Sequence, residues 1–414
     1  MLRVIQFITR SGFGRALRHR IFAIYICAHA ASVLGLWIQR IAIQWLAWSL
    51  TESYAWLGAV ALAEALANMT FSIVSGPLAD KFDRVRIANI TQGLLLIVAL
   101  LLALVTYMGW ISIPILTGFV IVMGILEGVW APVRLSIMPN LVPKEDMSAA
   151  VAITSMMFTS AIFIGPALGG VIITFASVEG AFVANAISYL GLLLVFVSIK
   201  MPPTTPIERK PQSFLYDLRD GFGTIIRSSG LRSIVLFAAF YSFLIRPYRE
   251  LFAGMADEVF SMGAEGLAAL ASAAGFGALV GAILIALHGR TQGLVTALYV
   301  VSAISGIVLA VFTYVDNLYV ALSCVAILSA CVTVFGTGAQ MLIQTYVSDN
   351  FRGRVMSVWS AQFRGIPAVG AWCIGLLEAS ASLQSVLLSA ALGFLLVMAI
   401  LLLAKQGFAK LETR

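Results

Sequence analysis

An eleven-residue run, Gly76-Pro77-Leu78-Ala79-Asp80-Lys81-Phe82-Asp83-Arg84-Val85-Arg86, sets two carboxylates and three cations between two long apolar segments. The segment before it starts at Tyr54 and the one after it reaches Tyr107, each about two dozen mostly apolar residues. As helices, both are long enough to cross a hydrocarbon core of roughly 30 Å. The charges therefore form a short turn between membrane spans, too short to be a domain. Length alone would allow two or three soluble domains in 414 residues, but composition overrules that reading. Hydrophobic residues make up 61% of the chain and charged residues 11%, where a soluble domain carries about 25% charged. Hydropathy divides the chain into twelve spans, starting near Arg20, Tyr54, Arg86, Ile111, Met147, Val178, Leu231, Gly263, Gly293, Asn317, Val355 and Leu383. The expected fold is an all-α membrane protein with twelve transmembrane helices in two six-helix bundles.

A net charge of +7 raises the question of a polyanion partner, and the placement of the cations answers it. With both termini on one side, the loops of that side hold Arg3, Arg10, Arg15, Arg18, Arg20, Lys81, Arg84, Arg86, Lys144, Lys200, Arg209, Lys210, Arg219, Arg227, Arg232, Arg290, Arg352, Arg354, Lys405, Lys410 and Arg414. The opposite loops, around Glu52, Gly109, Glu179, Asp257 to Glu265, Asp316 and Glu378, hold no Lys or Arg. Positive loops stay cytoplasmic. The chain is thus expected to be multi-pass in a membrane, with both termini in the cytoplasm and no nucleic-acid partner. The acid-free first twenty residues read as a cytoplasmic lead-in.

Cys27, Cys324, Cys331 and Cys373 all fall inside apolar spans without metal-ligand spacing to a histidine, so neither a metal nor a cofactor is expected. No Gly-x-x-x-x-Gly-Lys-Ser/Thr run is present, which disfavours ATP-driven transport by this chain alone. The longest polar interval begins at Lys200 with Pro202, Pro203, Pro206 and Pro211. In it Phe214, Leu218, Phe222, Ile225 and Ile226 recur near helical spacing, as in a short amphipathic helix on the membrane surface. The expected domains are an N-terminal bundle over 1–199, a cytoplasmic linker over 200–230 and a C-terminal bundle over 231–414. The exits of the fourth and tenth spans, at Arg134-Leu135-Ser136-Ile137-Met138 and Gln340-Met341-Leu342-Ile343-Gln344, match at an offset near 206 residues, as in a duplicated six-span unit.

The residues Gly76, Leu78, Asp80, Lys81, Arg84 and Arg86 resemble the loop 2–3 signature of the major facilitator superfamily, departing from it at Asp83 and Lys81. The resemblance implies the major facilitator fold and a latch in which Asp80 meets a helix end of the other half. The corresponding loop of the second half, His288-Gly289-Arg290, lacks the aspartate. Ala161-Ile162-Phe163-Ile164-Gly165-Pro166-Ala167-Leu168-Gly169-Gly170 resembles the fifth-span antiporter signature of the same superfamily, with alanine in place of the first glycine. Gly165, Pro166, Gly169 and Gly170 permit close helix approach and a kink, and the resemblance implies export. Trp37-Ile38-Gln39-Arg40 through Trp48, with Arg246-Pro247 through Asp257, is similar to the bacterial branch that contains the enterobactin exporter.

Charges inside spans are costly and mark functional sites. Here they are Arg40, Glu64, Glu127, Arg246, Arg249, Glu250 and Arg364, with Arg134 near a span end. Arg246 and Glu250, four apart, can pair on one helix face. Glu64 and Asn68 share a face in the same way. Arg40, Gln39, Asn68, Arg246, Arg249, Gln340 and Arg364 are the candidate lining of a substrate cavity. Glu127, Glu64 and Glu250 are the candidates for proton coupling, Glu127 first because no cation lies near it in sequence. The expected function is a non-enzymatic secondary transporter, a monomer in the lipid bilayer. It would use the proton gradient to export a small amphiphilic, siderophore-like or drug-like molecule by alternating access. A lipid flippase or uptake porter of the same fold, or a non-transporting membrane sensor, are the rival readings.

Overall fold

The computed structural model describes residues 12–81, 83–198 and 214–403. In hydrocarbon a peptide group finds no water, so an apolar run must satisfy its hydrogen bonds within itself, and a lone segment does this as a helix. The described residues are accordingly helical, with no strand among them. A short helix α1 (Gly12–Arg18) leads into α2 (Arg20–Thr51), α3 (Tyr54–Lys81), α4 (Arg84–Tyr107) and α5 (Ile113–Ile137). Next come α6 (Met147–Ser198), α7 (Phe214–Arg227) and α8 (Ser229–Leu244). The chain then winds through a 3₁₀ stretch, Arg246–Leu251, and a π turn, Met255–Val259, before α9 (Gly263–His288). It finishes with α10 (Leu294–Phe312), α11 (Leu318–Tyr346), α12 (Asp349–Glu378) and α13 (Leu383–Leu403).

Nine helical stretches among the described residues are long and apolar enough to cross a membrane. The 52-residue α6 is twice the length a bilayer requires. It is two helices joined at Ala176 and Ser177, where Ser177 adopts φ 63° and ψ 178°, a region that strains any residue with a Cβ. The Ser177 hydroxyl donates to Glu179 at this corner. Helices α3 and α12 have 28 and 30 residues, but carry Glu64 and Asn68, or Arg352, Arg354 and Arg364, along their length. Helix α4 shows what faces lipid: Ile90, Leu94, Ile97, Leu101 and Leu104 form an exposed stripe at helical spacing. Its other side buries Ala88, Gln92, Leu95, Ala99 and Leu102. In water such a stripe would demand a partner; in a bilayer the acyl chains supply it.

Local chemistry fixes the ends. The Asp83 carboxylate accepts from the Val85 amide at 2.8 Å and caps α4. Asn317 caps α11 by accepting from Tyr319 at 2.9 Å. Gly289, at φ 57°, closes α9 in the left-handed conformation that glycine adopts without strain. The turn between the second and third spans is tighter than expected. Gly76 to Lys81 continue α3, leaving only positions 82 and 83 between two helices. The Asp83 cap lets the next helix start at once.

The chain divides into two compact units, Met1–Leu46 with Leu66–Pro211, and Ala47–Ala65 with Gln212–Arg414. The first has a core of Phe22, Tyr25, Ile26, Trp130, Val133, Leu192 and Phe196, drawn from α2, α5 and α6. The second centres on Phe237, Tyr241, Phe335 and Phe394, with ring centres 4.3–5.8 Å apart. There the buried Tyr241 hydroxyl meets Ser305 at 2.8 Å. Also in the second unit, α9 presents Gly277 and Gly281 to the backbone of Ala326 and Ala330 of α11, a small-residue crossing of the kind membrane helices use. The amphipathic helix expected in the linker is α7. Its Gly221 lies against the Arg354 carbonyl of α12 and its Ile225 is buried, while Phe222 and Ile226 stay exposed. The proline-rich residues that precede it lie outside the described residues.

Candidate functional site

The first unit holds a polar cluster inside its apolar helices. Gln39 of α2 and Asn185 of α6 are 2% and 0% exposed. Burial of two carboxamides is costly unless they bond. Here Asn185 donates to the Gln39 oxygen at 2.8 Å, and Gln39 donates to the Met123 sulfur at 2.9 Å. The Ser188 hydroxyl, 2.7 Å from the Asn185 carbonyl and 2.9 Å from its side-chain oxygen, completes the network. One turn along α6, the Tyr189 hydroxyl donates to Glu127 Oε1 of α5 at 3.3 Å. Arg40 also lies within electrostatic reach of Tyr189, its guanidinium 5.1 Å from the centre of the Trp37 ring. Gln39, Arg40 and Glu127, three residues singled out from sequence, thus come together around two that were not, Asn185 and Tyr189. Their signal was a polar triplet, Asn185, Ser188 and Tyr189, at three- and four-residue spacing in an otherwise apolar run.

The glycine-rich motif of the fifth span brings α6 onto α2 in this cluster. A Cβ at Gly165 would stand 2.4 Å from the Trp37 Cβ, and one at Gly169 would stand 3.4 Å from Ile38. Gly165, Pro166, Gly169 and Gly170 are all buried. Helical dihedrals persist through Pro166, and the departure from them comes ten residues later at Ala176. Across from this contact, a Cβ at Gly35 would strike the Asn185 and Ser188 side chains at 2.3–2.4 Å. Glycine at 35 leaves the room that Asn185 occupies while it bonds Gln39.

Of the loop 2–3 motif, the side chains of Leu78, Asp80 and Lys81 lie outside the described residues, while Gly76 is part of α3. Arg84 is buried, and its guanidinium donates to the Ser136 carbonyl at the end of α5 at 3.4 Å, where a cation is favoured by the helix dipole. Arg86 is exposed. Nearby, in the connection between α5 and α6, Asp146 accepts from Arg15 Nε at 3.1 Å and from His19 Nε2 at 3.0 Å. His19 and Arg15, bonded to its two oxygens, hold the Asp146 carboxyl below the usual carboxylate range. This clasp ties α1 and the bend that joins it to α2 to the turn before α6.

In the second unit Arg246 does not stand on an α-helix with Glu250. Pro247 opens a 3₁₀ stretch there, with three residues per turn, and Glu250 lies within electrostatic reach of Arg246. The Arg246 guanidinium lies 3.8 Å above the Phe363 ring and donates to the Phe363 carbonyl, tying the turn to α12. Arg249 and Glu250 are half-buried in the same turn, Glu64 and Asn68 are half-buried on α3, and Gln340 and Arg364 are exposed. A further pair of contacts was not expected. Trp48 Nε1 donates to Asp257 at 2.9 Å and the Tyr54 hydroxyl to Glu258 at 2.9 Å. Gly254 admits both rings, since a Cβ there would meet Tyr54 at 2.4 Å and Trp48 at 2.6 Å.

Comparison with known proteins accords with this geometry. A family model described as transmembrane secretion effector matches residues 11–411. The staphyloferrin A transporter of Staphylococcus aureus is 25% identical over 330 residues, covering 78% of this chain and 81% of that protein. The enterobactin exporter EntS of Escherichia coli is 26% identical over 397 residues, covering 93% and 91%. Among solved structures, the nucleoside transporter NupG aligns with a TM-score of 0.74 at 14% identity, over 93% of this chain and 98% of that one. A bacterial homologue of the iron transporter ferroportin, in an inward-facing state, aligns at 0.69 and 15% identity over 95% and 99%. At such identities the structural likeness shows the fold, that of the major facilitator transporters. With nine membrane-length helices among the described residues and a family match over nearly its whole length, the chain belongs to the transmembrane secretion effector family of the major facilitator superfamily, a multi-pass membrane transporter and not an enzyme.

Proposed function

We propose that this transporter exports a small anionic amphiphile of the siderophore type in exchange for protons. It would do so by alternating access, from a bacterial inner membrane with both termini cytoplasmic. The observation that carries the coupling is the bond from Tyr189 to Glu127. A carboxylate within a span is expensive as an anion and cheap as an acid, so taking up a proton there exchanges an accepted hydrogen bond for a donated one. That change reaches Gln39 on α2 through Tyr189 and Asn185. Export is supported by the glycine motif of α6 and by the kinship with an exporter named for enterobactin. An anionic cargo is supported by the span charges, four cations (Arg40, Arg246, Arg249, Arg364) against three carboxylates (Glu64, Glu127, Glu250). The cytoplasmic termini are supported by the cation-free loops on the opposite side.

The test is transport in proteoliposomes with enterobactin and staphyloferrin A as trial cargo and an imposed pH gradient. Gradient-driven movement of one of them, lost in Glu127→Gln while downhill exchange persists, is the expected result. A wild-type rate that ignores the gradient, or a Glu127→Gln variant that still follows it, would overturn the coupling.

A further inference from the structure

The first unit contains a cavity of about 380 Å³ between the end of α5, the opening turns of α6 and Tyr25 of α2. That size is within the range of small-molecule sites. Leu135, Met138, Val151 and Phe158 give it apolar walls, and Tyr25, Arg134, Thr154 and Ser155 supply the polar groups. The Arg134 guanidinium lies 4.4 Å over the centre of the Phe158 ring. Thr154 gives its proton to the Ala150 carbonyl at 2.9 Å, so it offers the cavity an acceptor only. The donors are Arg134 and the hydroxyls of Tyr25 and Ser155. Behind the wall sits His29, 1% exposed, its ring 5.5 Å from Tyr25 and 5.7 Å from Phe158. Both its nitrogens are buried with no hydrogen-bond partner.

We propose that this cavity binds a carboxylate carried on a planar apolar body, as in an aromatic acid. A carboxylate that accepts two hydrogen bonds from a guanidinium lies in its plane. Tyr25 and Phe158 line the same cavity as Arg134, so the body attached to that carboxylate meets aromatic and apolar side chains. Ser155 and the Tyr25 hydroxyl then complete the donors around the anion. The inference deepens the export reading by placing a cargo subsite in α2, α5 and α6, and it rests on that reading for its part in the transport cycle. Binding itself is measured apart from transport.

The experiment is equilibrium dialysis of radiolabelled 2-naphthoate against the full chain in phosphatidylcholine nanodiscs. Saturable binding is expected, weakened about tenfold or more by Arg134→Gln, the loss of one charge-assisted pair. Tyr25→Phe and Ser155→Ala should each weaken it by about twofold or more, and Arg290→Gln, in a loop of the second unit, should leave it unchanged. Neutral 2-naphthamide and the unbranched acid octanoate should compete poorly. Absence of saturable binding would overturn the proposal, as would wild-type affinity in Tyr25→Phe and Ser155→Ala, which keep the fold even if Arg134→Gln does not. Octanoate competing as well as 2-naphthoate would overturn the planar body. Arg134-dependent binding in a protein that moves no cargo would uphold the subsite and count against export alone.

Discussion

The contact between α2 and α6 makes a sharp prediction within one motif. Replacing Gly165 by alanine puts a methyl group 2.4 Å from the Trp37 Cβ, about 1 Å inside the 3.4 Å at which ordinary contact begins. Trp37 Cβ is bonded to its own backbone, so relief requires the two helices to part. Overpacking of this kind costs about 1–3 kcal/mol, offset by the gain of about 1 kcal/mol that alanine brings over glycine in a helix. The net loss is about 0–2 kcal/mol. Gly169→Ala meets Ile38 at 3.4 Å, which is ordinary contact, so its propensity gain should stand. Gly191→Ala, with no atom within 4 Å of the new methyl, is the control. Thermal denaturation of the purified protein in detergent should rank Gly165→Ala below wild type, and the other two at or above it. Because parting α2 from α6 also stretches the Gln39–Asn185 bond, Gly165→Ala should slow transport more than its stability loss explains. Equal damage from Gly165→Ala and Gly169→Ala, or no damage from either, would refute the packing argument.

Three further outcomes follow from the same structure. Asn185→Leu takes the donor from the buried Gln39 oxygen and should cost about 1–3 kcal/mol; the Gln39→Leu/Asn185→Leu double variant should cost less than the two singles added, and a cost equal to their sum would show that the pair is not coupled. The lowered titration of Asp146 means that its contribution is present above the unfolded carboxylate value of about 3.9 and is lost as pH falls through the still lower folded value. Denaturation curves of wild type and Asp146→Asn should therefore differ at neutral pH and converge on the acid side; a gap that stays open there would remove the clasp. For Trp48 and Asp257, a double-mutant cycle with Trp48→Phe and Asp257→Asn should give a coupling of about 0.5–1 kcal/mol, as for other hydrogen bonds in membrane proteins, whereas zero coupling would make the 2.9 Å contact incidental.

The helical fold was legible because lipid imposes a long apolar run on every span, and the small turn at Asp83 because a charged, capping residue must stand where two such runs meet. The glycines of the fifth span were legible as a place of close approach. Their partner was not, since nothing local to Gly165 names Trp37, more than a hundred positions earlier. Gln39, Arg40 and Glu127 could be picked by their cost in a membrane. Asn185 and Tyr189 escaped because an amide and a phenol are cheap enough to pass as packing. The pairing drawn from the spacing of Arg246 and Glu250 assumed an α-helix that Pro247 replaces with a 3₁₀ turn. The Asp146 clasp left a trace that went unread: Arg15 and His19 stand four apart, on one face, ahead of a lone aspartate in the fourth connection.

The assignment of residues 47–65 to the second compact unit bears on how the two halves of the gene product can be handled. A chain severed in the linker and supplied as two fragments would leave Trp48 and Tyr54 on one polypeptide, with Asp257, Glu258 and Gly254 on the other. The second fragment alone would expose two carboxylates without their donors and a glycine cradle without its rings. Complementation of the two fragments should then depend on Trp48 and Tyr54 far more than activity of the uncut chain does. Residues 47–65 serve as the tenon by which the second unit is completed.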